Sequence, residues 1–388
     1  MAIGALRTGV ILICTGLLLA CAPARQVAGP PAEPITVTAL LDPSRFGPRP
    51  QLPSVESVFS LTAEQEQAFL AHFNDPERAT LAAHERVYAY IEQRLQDFHY
   101  FGKTYPASHS LRTKGGNCLG LAVMTAALAR VAGVDIGYQR VSSVPVFLAN
   151  RDLVLSSGHV RAVLYDPAFD PEHWLRRPGI AVDYFPEAGD RAGAIISEAQ
   201  VIAMYYRNLA AERLAEGDYG NAFWLVRESL AHAPDHSEAI NMLAVLHRRV
   251  GDEATAERLY VYGLERARNK LSLLDNYRRL LAAQQRHAEA EAISQQLVEL
   301  NDPSPFRWLE LAHHAHQRGE PREALQFYRK ALAAAPYLHQ AHVGMAGALY
   351  QLGQPLAAEA ALRQALLHSH DDTTQALYQA KLERLSSR

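Results

Sequence analysis

Cysteine is scarce in this chain of 388 residues, which has only three, too few for a disulfide framework. Charge of one sign is missing as well. Thirty-eight Lys and Arg stand against 41 Asp and Glu, a formal net charge of −3, which provides no basic footprint for nucleic acid. The apolar run near the N-terminus covers residues 9–20 and falls short of the roughly 20 residues that a membrane-spanning helix needs. Gly115-Gly116 lacks the Lys-Ser/Thr that would make it a phosphate loop, and no cofactor is expected. His313, His314 and His316, like His368 and His370, are clustered, but no Asp, Glu or Cys stands at ligand spacing, so no metal is expected either. With 48% hydrophobic and 20% charged residues, the composition suits two ordinary globular domains.

What the N-terminus does have is a targeting pattern. One basic residue, Arg7, precedes the short apolar run, and Leu18-Leu19-Ala20-Cys21 follows. That tetrapeptide resembles a bacterial lipobox. The resemblance implies a signal peptide over residues 1–20, cleavage before Cys21, and lipidation of Cys21. Ala22 after it implies sorting to the outer membrane, with the chain facing the periplasm. A simple secretory signal would still export the chain. Residues 21–54 are proline-rich and read as an extended tether; at roughly 3 Å per residue it would reach on the order of 100 Å. An ordered arm remains the other reading for residues 35–41.

Cys14 falls in the removed segment and Cys21 would carry lipid, so Cys118 is the single thiol left. An unpaired thiol in an oxidising compartment signals burial or chemistry. Lys114-Gly115-Gly116-Asn117-Cys118 is a tight turn into an apolar helical run over residues 119–131. A cysteine at a helix N-terminus faces unpaired N–H groups and the positive end of the macrodipole, which favour a thiolate. The plainer reading is a small residue at the start of a buried helix.

Around this stretch the pattern is mixed. Thr62 and Gln65 fit a capping box before a helix. Asp75-Pro76 opens a second, running to about His99, and a short turn covers residues 108–113. Beyond the Cys118 helix the period changes to two: strands are expected over 135–142, 144–148, 158–165 and 180–185, with 151–155 a strand or turn. His159 lies on the third of these and Asp183 on the last. His159 could take the thiol proton while Asp183 orients the ring, and Asp166 is a rival for that third role. Taken singly, His159 reads as a strand histidine and Asp183 as a surface acid. Asn117 and Arg161 are candidates for holding an oxyanion or substrate, although Asn117 could equally cap the helix.

Gly116-Asn117-Cys118-Leu119-Gly120-Leu121-Ala122, Gly158-His159-Val160 and Val182-Asp183 resemble the core of the bacterial transglutaminase-like superfamily, in the lipoprotein branch that carries tetratricopeptide repeats. The resemblance covers residues 55–199. It implies an α+β papain-like fold in which Cys118 is nucleophile, His159 general base and Asp183 the orienting acid. Asn117 stands where the family often has Trp, and Val160-Arg161 replaces its Ala-Trp. Both departures weigh against glutamine–lysine cross-linking more than against thiol chemistry.

Residues 203–388 repeat with a period of 34. One column reads Ala222, Ala256, Ala290, Ala324 and Ala358. A second reads Ala210, Ala244, Arg278, Ala312 and Ala346, and a third Gly217, Gly251, Gln285, Gly319 and Gly353. Alanines belong where paired helices cross closely, and glycines where the first helix of each pair ends. The spacing matches the tetratricopeptide repeat: five units, then a capping helix over residues 373–385, with distortion expected at the third unit. The expected architecture is therefore an α+β thiol-enzyme core followed by an all-α solenoid that holds a protein or peptide on its concave face. The expected activity is amide hydrolysis or acyl transfer on a protein or peptide. A non-catalytic adaptor, in which core and repeats only bind a partner, is the alternative.

Overall fold

A computed structural model describes residues 36–95, 99–100, 103–150, 153–170, 172, 177–183, 191–267, 269–300, 305–369 and 372–386. The signal segment 1–20 and Cys21 lie outside the described residues. From Val37 to Arg388 the chain forms one compact unit.

Its first part is built around a helix apolar on all sides. α1 (Val55–Phe59), α2 (Ala63–Phe73), α3 (Ala83–Leu95) and α4 (Ala107–Thr113) precede α5 (Cys118–Ala132) and pack around it. Thr62 and Gln65 form the capping box of α2. The second expected helix is split: a 3-10 turn covers Pro76–Arg78 and α3 starts only at Ala83. Two short strands, β1 (His99–Tyr100) and β2 (Gly115–Gly116), pair in parallel.

A four-stranded antiparallel sheet in the order β5-β4-β3-β6 closes the other side of α5. β3 (Ile136–Asn150) is one strand with an irregularity between Val141 and Val146, where the sequence pattern suggests two. β4 (Leu153–Tyr165) turns Val160, Ala162 and Leu164 into the core. β5 (Gly179–Val182) stops one residue before Asp183, and β6 (Arg191–Ile196) is a strand that the alternation pattern did not mark.

α6 (Glu198–Ala215) then opens the helical array. It pairs with α7 (Tyr219–His232), and four more pairs follow: α8 (Ser237–Arg249) with α9 (Glu253–Arg266), α10 (Leu271–Ala283) with α11 (His287–Glu299), α12 (Pro305–Gln317) with α13 (Pro321–Ala334), and α14 (His339–Gln351) with α15 (Pro355–Leu367). α16 (Asp372–Ser386) packs on the last pair. All five alanines of the first column are buried, at 0–7% exposure, where a larger side chain would push the helices apart.

The repeats and the sheet unit share a core. One apolar cluster runs without a break from Val37 and Phe46 through α5 and the sheet to Tyr260 and Leu280. Residues from Val37 to Pro53 are accordingly not a free tether. Phe46 stacks on Phe223 with ring centroids 4.0 Å apart, Trp224 donates to the Gly47 carbonyl at 3.2 Å, Arg49 pairs with Glu228 at 2.6 Å, and Tyr206 donates to the Pro53 carbonyl at 2.6 Å. Proline spacing alone signals extension, whereas burial of one aromatic on the array fixes the arm.

The third repeat keeps its turn despite losing its glycine. Gly217, Gly251, Gly319 and Gly353 adopt φ of 73–82°, and Gln285 adopts 61° at the equivalent place. For a residue with a Cβ this left-handed conformation costs about 1–2 kcal/mol. Gln285→Gly should therefore stabilise the array by about 1 kcal/mol, read as a higher urea midpoint; an unchanged or lower midpoint would mean that the turn is not strained.

Candidate functional site

The loop into α5 is held by three local devices. α4 ends at Lys114 with a left-handed φ of 48°, and Gly116 takes φ 142°, which disfavours any side chain. A Cβ on Gly116 or on Gly120 would also lie 3.2 or 3.0 Å from Ser110 Oγ. Asn117 then caps the helix: its Oδ1 accepts from Gly120 N at 3.0 Å, and its Nδ2 donates to Thr104 Oγ1 at 2.8 Å. Cys118 is thereby the first residue of α5, 7% exposed and unpaired. Its own N–H and that of Leu119 belong to the first turn, where no helical acceptor exists.

His159 meets the thiol from β4. Its Nε2 lies 2.8 Å from Asp183 Oδ1, which leaves Nδ1 for the sulfur of Cys118, a group close enough to act on the ring's proton affinity. The Asp183 side chain is 5% exposed and that of His159 21%. These contacts favour the imidazolium: the bond to Asp183 first, then the interaction with Cys118, outweigh burial and push the His159 pKa up to about 10. His159 is thus hydrogen-bonded to Asp183 and interacts with Cys118, with the carboxylate just beyond the end of β5. The β5–β4 register pairs Val182 with Ala162; past that pair the chain leaves the ladder, so the carboxyl reaches the ring from a loop.

The two candidates for oxyanion or substrate contact are committed elsewhere. Both polar atoms of the Asn117 side chain are used, one on the helix and one on Thr104, and the residue is 5% exposed. Arg161 forks onto Gln139 Oε1 at 3.1 and 2.9 Å, and Gln139 in turn donates to the Gly193 carbonyl. Cross-strand pairing of β4 with β3 brings Arg161 opposite Gln139, so its guanidinium braces the sheet. Asp166 lies 4.0 Å from His84 and accepts from Ala168 N, away from this line.

Two residues of the site carry no sequence signal. Thr104 N donates to Glu212 Oε1 at 2.7 Å, which ties the Cys118 loop through Asn117 and Thr104 to α6. Burial pushes the Glu212 pKa up, although its bonds to Thr104 oppose that. No group of three or more His, Cys, Asp or Glu able to hold a metal occurs among the described residues.

Comparison with known proteins bears on the second half of the chain. Residues 315–384 match the family model described as a tetratricopeptide repeat. Among solved structures, pilF of Pseudomonas aeruginosa is 21% identical over 49% of this chain and 94% of its own, with a TM-score of 0.36. YrrB, described as a tetratricopeptide-repeat protein with an unusual peptide-binding site, is 15% identical over 46% and 92%, with a TM-score of 0.28. MamA is 16% identical over 43% and 91%, also at 0.28. No curated protein matches. The helices within residues 315–384 are tetratricopeptide repeats.

Proposed function

We propose that this chain is a thiol enzyme of the transglutaminase-like superfamily, an amide hydrolase or acyltransferase acting on a protein or peptide, whose repeats bind a protein partner or present the substrate. The observation that carries the reading is the imidazole of His159, hydrogen-bonded to Asp183 and acted on by Cys118 at the start of α5. The resemblance implies an α+β fold with these three residues as nucleophile, base and orienting acid, and the thiol at a helix start with the imidazole on a strand supports that reading.

The chemistry follows from the geometry. The thiol proton passes to His159 Nδ1, and the sulfur adds to the substrate carbonyl as the C=O pair moves onto oxygen. The Cys118 N–H is positioned to bind that oxyanion. As the C–N bond breaks, the imidazolium returns its proton to the leaving amine, and a thioester remains. Water or an acceptor amine then attacks the thioester, with His159 taking its proton; the C–S bond breaks, the acid or new amide departs, and His159 returns the proton to the Cys118 sulfur. Asp183 orients the ring and stabilises its charged form throughout.

Incubation with p-nitrophenyl acetate should give a burst of p-nitrophenolate and one acetyl group on Cys118, detected by intact mass. Cys118→Ala should give none, and Asp183→Asn should slow the burst about 100-fold. Absence of any adduct on the wild-type chain would leave the adaptor.

The same contacts set a stability window. His159 has a raised pKa in the folded chain, so its contribution is complete below its ordinary 6.5 and is lost as the pH climbs to about 10. The melting temperature should fall across that interval, and fall less in His159→Gln; parallel curves would refute the coupling.

We also propose a location: the bacterial envelope, with lipid on Cys21 anchoring the chain to the outer membrane. The support is the tetrapeptide Leu18-Leu19-Ala20-Cys21. Metabolic labelling with a palmitate analogue should mark the wild-type chain and not Cys21→Ala; equal labelling of both would rule the anchor out.

A further inference from the structure

No helix or strand covers residues 103–106, yet this segment holds the residue that fixes the start of α5. Asn117 N donates to the Lys103 carbonyl at 3.2 Å, and Asn117 Nδ2 donates to Thr104 Oγ1 at 2.8 Å. Asn117 Oδ1 in turn accepts from Gly120 N at 3.0 Å, within the first turn that Cys118 begins. Where the segment lies therefore decides how the helix end is set.

A segment without a ladder needs an anchor, and this one finds it outside the sheet unit. Thr104 N donates to Glu212 Oε1 at 2.7 Å. Thr104 is 4% exposed, so water is a poor substitute for that acceptor. A carboxylate also accepts more strongly than a neutral oxygen. Glu212 belongs to α6, the first helix of the array, and the side chains that seat α6 on either side of it are buried: Tyr205 and Ala210 before, Leu214 after. The neighbouring Arg213 is turned to Glu216, at 2.7 Å. The mobile part of the link is thus tied to a helix that the common core holds in place.

We propose that Glu212 is a positioning residue for the Cys118 nucleophile. From the first helix of the array it holds Thr104, and through Thr104 and Asn117 it fixes the helix end at which the thiol meets His159. This deepens the thiol-enzyme reading and rests on it for the word nucleophile. The sheet unit accordingly does not complete its own site, because one support of the thiol is supplied by the helical array. What the link asks of residue 212 is an acceptor at one point and not a negative charge, so the amide should serve where alanine fails.

The test is the pH dependence of Cys118 alkylation by iodoacetamide on the full chain. In the wild type the midpoint should lie well below the ordinary thiol value of about 8.5. Glu212→Ala should raise it by about one unit, which slows the reaction about 10-fold on the acid side and leaves the alkaline plateau within about twofold. Glu212→Gln should stay within about 0.3 unit of the wild type. Thr104→Val keeps the backbone bond to Glu212 but loses Oγ1, and should shift the midpoint in the same direction as Glu212→Ala. The two changes together should shift it by less than the sum of their separate effects. An unshifted profile in Glu212→Ala, even with a lower melting temperature, would mean that the contact serves stability alone and would overturn the proposal. Equal shifts in Glu212→Ala and Glu212→Gln would overturn it too, since the carboxylate would then act through its charge.

Hydrogen exchange separates this from the fate of the thiol chemistry. Amides of residues 117–121 should exchange about 5- to 10-fold faster in Glu212→Ala than in the wild type or in Glu212→Gln. If the wild-type thiol titrates near 8.5, the thiol-enzyme reading falls, and exchange still decides whether Glu212 sets the helix end. Equal exchange in all three chains would refute the link.

Discussion

A helix with no polar side has to be enclosed, and enclosing α5 dictates most of what surrounds it. Residues 119–129 are all buried, so the helix cannot lie on a surface. α1 to α4 cover part of it, β4 covers another part with Val160, Ala162 and Leu164, and α6 completes the wall. Its N-terminal end borders polar groups, and there the sequence places Asn117 and Cys118. Enclosure thus does two things at once: it supplies apolar burial, and it holds the Cys118 thiol at the point where the sheet delivers His159. Placement of this kind is what a reacting constellation requires.

The same enclosure joins the two halves of the chain. Because α6 belongs both to the wall around α5 and to the first repeat, its side chains answer to both. Tyr205 and Tyr206 are buried in the shared core, Glu212 holds the loop before Cys118 through Thr104, and the Tyr206 hydroxyl fixes the arm at Pro53. The first repeat is therefore structural, and the surface it offers to other molecules is smaller than that of a free-standing unit.

How much of this could be read from the chain depends on the range of each interaction. The repeats were legible because a local rule recurs: a buried alanine every 34 residues, and a left-handed turn that even Gln285 obeys. Cys118 and His159 were legible because each sits in a local pattern, a glycine turn into an apolar helix and an alternating strand. Asp183 was picked out, but on a strand; that β5 ends at Val182 depends on pairing with β4. The commitment of Arg161 to Gln139 depends on β3 in the same way. The arm was misread because the ring that seats Phe46, Phe223, is far away in sequence.

The array itself is not uniformly cohesive. Among the described residues, the remaining apolar packing forms a small cluster around Leu274, Leu281 and Leu297, which shares Leu264 and Tyr277 with the main core, and a separate one from Phe306 to Leu382. Between these two clusters, Arg278 replaces the small residue of its column and pairs with Asp275 at 3.0 Å and Glu310 at 2.8 Å, while Arg279 also pairs with Asp275. In a stack where each unit touches mainly its neighbours, stability is carried by those interfaces. Here one interface exchanges apolar packing for half-buried ion pairs, which recover less of their desolvation cost and weaken with salt. The last two repeats are thus joined to the preceding ones through a polar contact at the place where the second column of alanines is interrupted by Arg278.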